Sequence, residues 1–266
     1  MRVVYTGLCV LVSSILSVCL VQVIAERSEV SFLTEETVES MEFRAQLLPE
    51  GLFEEIISRA KGKEESIELL TSTMLHGRFF PARVNEEVEL FQKYKEKEYE
   101  SLLQAYQAVW QDIIYFPVAG EGISYIDSWM TSRTYGGERS HEGTDIFGAD
   151  NVPDYYPVVS MTDGEVEQIG WLNLGGYRIG IRAPMGGYFY YAHLSSYDRD
   201  FQEGDVVEAG EILGFMGDTG YGTEGTRGKF PVHLHMGIYI RTEKVKELSV
   251  NPYWILRAAE RRKLIF

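Results

Sequence analysis

From Pro117 onward the chain is cut every few residues by a glycine turn, and that punctuation restricts the fold more than any other feature of the sequence. Asp163-Gly164, Gly175-Gly176, Gly186-Gly187, Glu203-Gly204 and Ala209-Gly210 separate short apolar runs at Pro157–Ser160, Gly164–Trp171, Tyr177–Arg182, Tyr188–Ala192, Ile212–Met216 and Val232–Ile240. Runs this short, closed by tight turns, read as strands rather than helices. Adjacent strands joined by short turns run antiparallel, so an antiparallel sheet or barrel is expected. Pro252 then opens a last helix, from Tyr253 to about Leu264.

The sequence before Pro117 has another period. In Glu35–Lys61 and Asn85–Ile114 apolar residues return at helical spacing, as in Val88, Phe91, Tyr94, Tyr99, Leu102, Leu103, Tyr106 and Val109. The other side carries Lys93, Lys95, Glu96, Lys97 and Glu98, a solvated helix face. Pro81 interrupts the helical sequence. Residues 26–112 hold 19 acidic and 10 basic residues, most of the net charge of −15. That balance argues against nucleic acid as a partner, because phosphate binding needs clustered cations.

At the amino terminus, Val3 to Ala25 are 23 residues without a charge. Such a run is long enough to cross a bilayer core of about 30 Å, and Val23-Ile24-Ala25 offers a cleavage point. Residues 1–25 are expected to be a signal peptide or membrane anchor that takes the rest out of the cytoplasm, secreted or held at the membrane. Both cysteines, Cys9 and Cys19, lie in this segment. Neither a disulfide framework nor a cysteine zinc finger is available to the remainder. The organisation expected is thus α+β: residues 1–25 as above, a helical region at 26–112, an antiparallel β-rich, barrel-like domain at 113–250, and a short carboxy-terminal helix at 251–266.

The chemistry concentrates in five histidines, His76, His141, His193, His233 and His235, four of them in the β region. His233 and His235 are two apart in an alternating strand, so their imidazoles share a face. His141 and Asp145 are four apart around Gly143, in a sequence suited to a loop running into a strand. Two histidines and a carboxylate leave an open coordination position, as catalytic metal sites do. His193 follows the aromatic strand Tyr188–Tyr191, at its end. His76 lies in the helical region and reads as an ordinary histidine.

Taken in order, these pieces resemble the lysostaphin-type, LytM-like zinc metallopeptidases, which cleave bacterial cell-wall peptides. The resemblance spans about Tyr115 to Ile240. It is carried by His141-x-Gly143-x-Asp145-Ile146, Gly164-Glu165-Val166, Tyr191-Ala192-His193-Leu194, Gly204-Asp205-Val206-Val207, Gly210-Glu211-Ile212-Leu213-Gly214, Gly217-Asp218-Thr219-Gly220 and His233-Leu234-His235. It implies one Zn2+ per chain held by His141, Asp145 and His235, with His193 and His233 assisting catalysis and peptidoglycan peptide as substrate. The sequence departs from the family between Gly220 and His233, where 12 residues replace a shorter stretch, and at Met236-Gly237.

On this reading a zinc-bound water attacks the peptide carbonyl while imidazole moves the protons. Tyr135, six residues before His141, is the candidate for steadying the oxyanion. Arg133 and Arg139 flank the metal segment, as solvated charges or as partners of peptide carboxylates. The helical region could act as a spacer or partly cover the cleft. Two other classes use the same residues: a non-haem Fe(II) oxygenase built on two histidines and a carboxylate, and a non-catalytic module that binds cell-wall peptide or a partner. The oligomeric state and the bond cleaved are not written in these motifs.

Overall fold

The computed structural model describes residues 2–134 and 137–266. Six helices are described: α1 (Arg2–Glu29), α2 (Met41–Arg44), α3 (Leu52–Arg59), α4 (Lys63–His76), α5 (Glu89–Tyr106) and, after the sheet, α6 (Tyr253–Ala259). A wider π-type turn, Gln107–Gln111, follows α5, and a 3-10 turn, Glu260–Arg262, follows α6. The expected helix over Glu35–Lys61 is divided into α2 and α3, with Pro49 in the break, because proline lacks an N–H to donate. α4 lies outside both stretches of helical period. It buries residues on all sides, Ser66, Ile67, Leu69 to Leu75 among them, so no polar stripe marks it.

The strands are β1 (Ser124–Tyr125), β2 (Ser132–Arg133), β3 (Arg139–Ser140), β4 (Thr144–Phe147), β5 (Pro157–Val159), β6 (Gly164–Leu172), β7 (Gly176–Arg182), β8 (Tyr188–Tyr197), β9 (Val206–Val207), β10 (Ile212–Met216), β11 (Leu234–Ile240) and β12 (Leu248–Val250). The main sheet has the order β1-β4-β11-β8-β7-β6-β9, and every pairing in it is antiparallel. Its path is open, and the barrel-like character comes from β10, which pairs with both β8 and β5. β2 and β3 form a separate hairpin.

Alternation along the strands gives the sheet two unlike faces. Phe189, Tyr191, Ile179, Ile181, Met236 and Ile238 point inward and are fully buried. Burying each large side chain is worth roughly 1.5–3 kcal/mol. The polar end of Tyr191 is satisfied, its hydroxyl accepting from the Met161 N–H at 2.9 Å. The helices join the same core, which runs without interruption from Val30 to Ala259. Polar contacts also cross between the two regions. Arg44 Nε donates to the Ser249 carbonyl at 2.9 Å, and the Met185 N–H donates to Asp112 Oδ2 at 2.7 Å. Within the helical part, buried Gln46 accepts from Trp110 Nε1 at 2.7 Å.

α1 stands apart from this core. Leu11, Ile15, Leu16, Val18, Leu20 and Val21 are all more than half exposed. Its segment Leu11–Glu29 is long and apolar enough to cross a membrane.

Candidate metal and catalytic site

The outer face of the sheet forms the floor of a cleft of about 700 Å³. Register brings the metal candidates together, since His235 on β11 pairs with Asp145 on β4. His141 arrives from the loop just before β4. Gly143 lets that loop lie against the metal strand, because a Cβ there would stand 2.6 Å from both the His235 ring and the Met236 carbonyl oxygen. His141 Nε2, Asp145 Oδ1 and His235 Nδ1 form a triangle with every side 3.0 Å.

Protons cannot satisfy that triangle. His141 Nδ1 faces both the Ser128 carbonyl at 3.0 Å and Arg133 Nη2 at 3.1 Å; in the tautomer that donates to the carbonyl, Nε2 presents a bare lone pair. Asp145 Oδ1 is an acceptor, and His235 Nδ1 carries at most one proton for two neighbours. Burial pushes the Asp145 carboxyl up, but its contacts with His141 and His235 outweigh this and hold it well below the usual carboxylate range. Burial pushes His235 towards its neutral form. Lone pairs converging in this way suit a cation. His141, Asp145 and His235 would hold such an ion, since two histidines and a carboxylate are a donor set of catalytic zinc sites. The other carboxylate oxygen, Asp145 Oδ2, accepts from Arg133 Nη2 at 2.6 Å, which fixes the carboxylate's orientation. Arg133 is therefore an anchor for Asp145 and not the solvated charge that its sequence position suggests.

The other two histidines sit beside this triangle. The ring centroids of His193 and His233 are 4.7 Å apart, and His193 is 6.0 Å from His235. His193 is inside β8 rather than at its end. β8 pairs with β11 up to Ala192 and with β10 from Leu194, and His193 occupies the change of partner with φ +63°. Histidine visits this left-handed region more readily than most residues. His233 lies just before β11, bridged to Gly217. Each ring has one nitrogen fixed by a backbone carbonyl. His193 Nδ1 donates to Thr219 at 2.7 Å, and His233 Nδ1 donates to Pro231 at 2.8 Å. Both Nε2 atoms are thereby left as bases, that of His233 lying 3.8 Å from Asp145 Oδ1. Burial lowers His233 below its ordinary value and lowers His193 further.

The long Tyr221–Val232 segment forms one wall. Arg227 ties it down by donating to the Ser195 hydroxyl and carbonyl, both at 2.7 Å. The segment supplies Phe230, packed on His193 and His233 at 4.6 and 5.0 Å, and the Pro231 carbonyl that orients His233. Tyr221 stacks on His193 and accepts from Arg139 Nη2 at 2.7 Å. Of the Tyr188–Tyr191 run, Tyr188 and Tyr190 line the cleft while Tyr191 is core. Alternation in the sequence carries that division, and also the cleft-side position of Arg178, which the histidine pattern alone did not bring out. The orienting carbonyls and Phe230 left no comparable signal. His76, in the helical part, binds the Glu87 carbonyl at 2.7 Å and packs on Phe91. Tyr135 lies outside the described residues. The cleft's described lining begins at Arg133, so no residue of the helical region covers it.

An open antiparallel sheet with this donor set on its outer face is a LytM-type fold. The chain belongs to peptidase family M23, whose family model matches residues 139–252. It is similar to a crystal structure of a lytM protein from Ruminococcus gnavus ATCC 29149, assigned as a glycyl-glycine endopeptidase. The two share 43% identity and a TM-score of 0.75, over 86% of this chain and 94% of that one. The L-Ala–D-Glu endopeptidase of Bacillus subtilis (strain 168) is 46% identical over 138 residues, 52% of this chain and 41% of the relative. Lysostaphin of Staphylococcus simulans is 39% identical over 85 residues, 31% of this chain and 16% of the relative. The matches thus span less than half the length of these curated relatives.

Proposed function

We propose that the protein is an exported zinc metalloendopeptidase that hydrolyses peptide bonds of bacterial peptidoglycan. The observation that carries this reading is the triangle of His141, Asp145 and His235 with two carbonyl-oriented imidazoles beside it. His141, Asp145 and His235 would hold the metal. When bound, zinc lowers the pKa of a coordinated water and polarises a peptide carbonyl.

The chain's own residues supply the remainder. His193 and His233 present unprotonated Nε2 atoms, the state a general base needs before it takes a proton from the attacking water. The imidazolium so formed then donates to the leaving amine. Thr219 and Pro231 hold the rings in the tautomer that makes this possible. Phe230 and Phe147 screen His233 from bulk water. Tyr135 is assigned the oxyanion role.

In this reading residues 1–25 direct export and stay as an anchor if uncleaved. Residues 26–112 are a packing and spacing region, residues 113–250 form the peptidase domain, and residues 251–266 close it. The relatives' names, a glycyl-glycine and an L-Ala–D-Glu endopeptidase, bring peptidoglycan forward as the substrate.

The test is digestion of purified peptidoglycan by the full chain, with products identified by mass spectrometry and bound metal measured on the same sample. New peptide amino termini, lost with chelator and regained with zinc, are expected. Tight iron binding with oxygen uptake would favour an oxygenase. Peptidoglycan binding without new termini would favour a non-catalytic module.

A further inference from the structure

Two arginines on β7, Arg178 and Arg182, differ in their partners. Arg182 is neutralised, because Nε and Nη2 donate to the two oxygens of Glu167 at 2.6 and 2.8 Å, and its guanidinium lies 4.9 Å from the centroid of the Tyr188 ring. That is what a structural arginine looks like on this sheet. Arg178 is only 8% exposed and lines the cleft. Its Nη2 donates to the neutral amide oxygen of Gln168 at 3.0 Å, while its buried Nη1 has no partner. It pairs with no carboxylate among the described residues. A buried cation without an ion pair is costly, and its unpaired donor in a cleft is open to an acceptor on a ligand.

The position of Arg178 is as informative as its isolation. His235 pairs with Ala192, and on the far side of β8 the neighbouring strand carries Arg178 at the bulge between Tyr177 and Ile179. Two strand spacings separate Arg178 from the metal ligand, about 10 Å of floor. Ala192, between them, is small and fully buried beside Gly175. The floor around Arg178 is lined by Tyr188, Tyr190 and Gln168, with Glu247 at the rim. His235 and Arg178 both line the cleft, so a substrate lying across this floor meets both.

We infer that Arg178 is a specificity residue that binds a carboxylate carried by the residue next to the scissile bond, so that the cleft takes an acidic stem peptide rather than a glycine bridge. This inference rests on the peptidase reading. A guanidinium offers a fork of donors that matches a carboxylate, and a site built around a buried donor rejects an analogue that leaves it unpaired. A carboxylate entering the cleft would complete what Gln168 satisfies only in part. Of the bonds in the relatives' names, L-Ala–D-Glu carries this charge and Gly–Gly does not.

The experiment uses the zinc-loaded full chain and three soluble peptides. One has Ala–Glu with a free carboxylate on the glutamate, one has the same carboxylate amidated, and one has Gly–Gly. The wild type should favour the free carboxylate over the amide by about 10–100-fold in kcat/KM, as expected for a charged hydrogen-bonded pair. In Arg178→Gln that ratio should collapse towards one, chiefly through loss on the carboxylate peptide, and Arg178→Lys should restore part of it. Thermal melts of both variants check that they fold. Equal loss on the two Ala–Glu peptides, an unchanged ratio in Arg178→Gln, or a preference for Gly–Gly overturns the inference. If the zinc-loaded wild type cleaves none of the three, the peptidase reading fails separately. Calorimetric binding of the two Ala–Glu peptides then decides the role of Arg178. A carboxylate preference abolished in Arg178→Gln supports it, and equal affinities overturn it.

Discussion

The two faces of the sheet are made from alternate residues of the same strands, yet they are built to opposite rules. On β8 the inward residues Phe189 and Tyr191 are buried and satisfied, with Tyr191 bonded to the Met161 backbone. On the outward side, the floor that carries Tyr188 and Tyr190 leads to a cluster of lone pairs and an arginine with one unpartnered nitrogen. The inner face spends its residues on apolar contact and leaves nothing to react. The outer face holds groups that are incomplete until something binds. Stability and chemistry are thus separable by parity as far as Ala192, and His193, of inward parity, joins the outer face only where its positive φ breaks the alternation; substitutions can test whether the separation is real.

The sharpest break should come from the triangle of His141, Asp145 and His235. Asp145→Ala and His235→Ala should lose bound zinc together with peptidoglycan hydrolysis, to the limit of detection. Metal content by mass spectrometry, read beside product formation, checks both. Retained zinc in either variant would remove that residue from the ligand set.

His193 should show a smaller effect of a different kind. His193→Ala should keep its zinc and lose roughly 10²–10⁴ in rate, the usual contribution of general acid–base catalysis. The positive φ of this position adds a complication, because alanine is strained there. His193→Asn tolerates the backbone better and still lacks the base, so it should match the alanine variant in rate and melt higher. If His193→Asn loses metal, the division between ligands and bases proposed for this site is wrong.

Crossing to the inner face, Phe189→Ala should cost about 3–5 kcal/mol of stability by opening a cavity in the core. Metal binding and turnover per folded molecule should stay near wild type. Denaturant unfolding and active-site titration against zinc content separate the two quantities. A variant that unfolds normally but fails to turn over would show that the faces are coupled through β8.

The sequence made the outer face more legible than the rest. His233 and His235 announced themselves by strand spacing, and the turn signals located six of the twelve described strands, because glycine punctuation and period two are local properties. His193 was harder to place. The aromatic run suggested a strand end there, whereas β8 continues to Tyr197 on a new partner. A change of partner is a tertiary event with no local mark. α4 escaped for the opposite reason, since a helix buried on all sides shows no periodic contrast. Arg133 read as a free charge because its partner, Asp145, is 12 residues away.

The smallest test concerns the paired arginine of the outer face, where the comparison with the inner face should nearly vanish. Glu167 is held below its ordinary value of 4.5 first by the hydrogen bonds from Arg182, against the opposing effect of burial, with Arg241 adding a further donor at 2.7 Å. A carboxyl whose folded pKa is depressed binds its proton less readily than in the unfolded chain. Its contribution is therefore fully present above the unfolded value and is lost as pH falls through the folded one. Glu167→Gln should lower stability at pH 7 by about 1 kcal/mol, the scale of a partly exposed ion pair. As pH drops below 4.5, the gap between wild type and variant should close. Urea unfolding at pH 7 and at successively lower pH measures it. A gap that stays constant on acidification would mean that Glu167 stabilises by packing, and that the outer face has no purely electrostatic structural pair to set against Arg178.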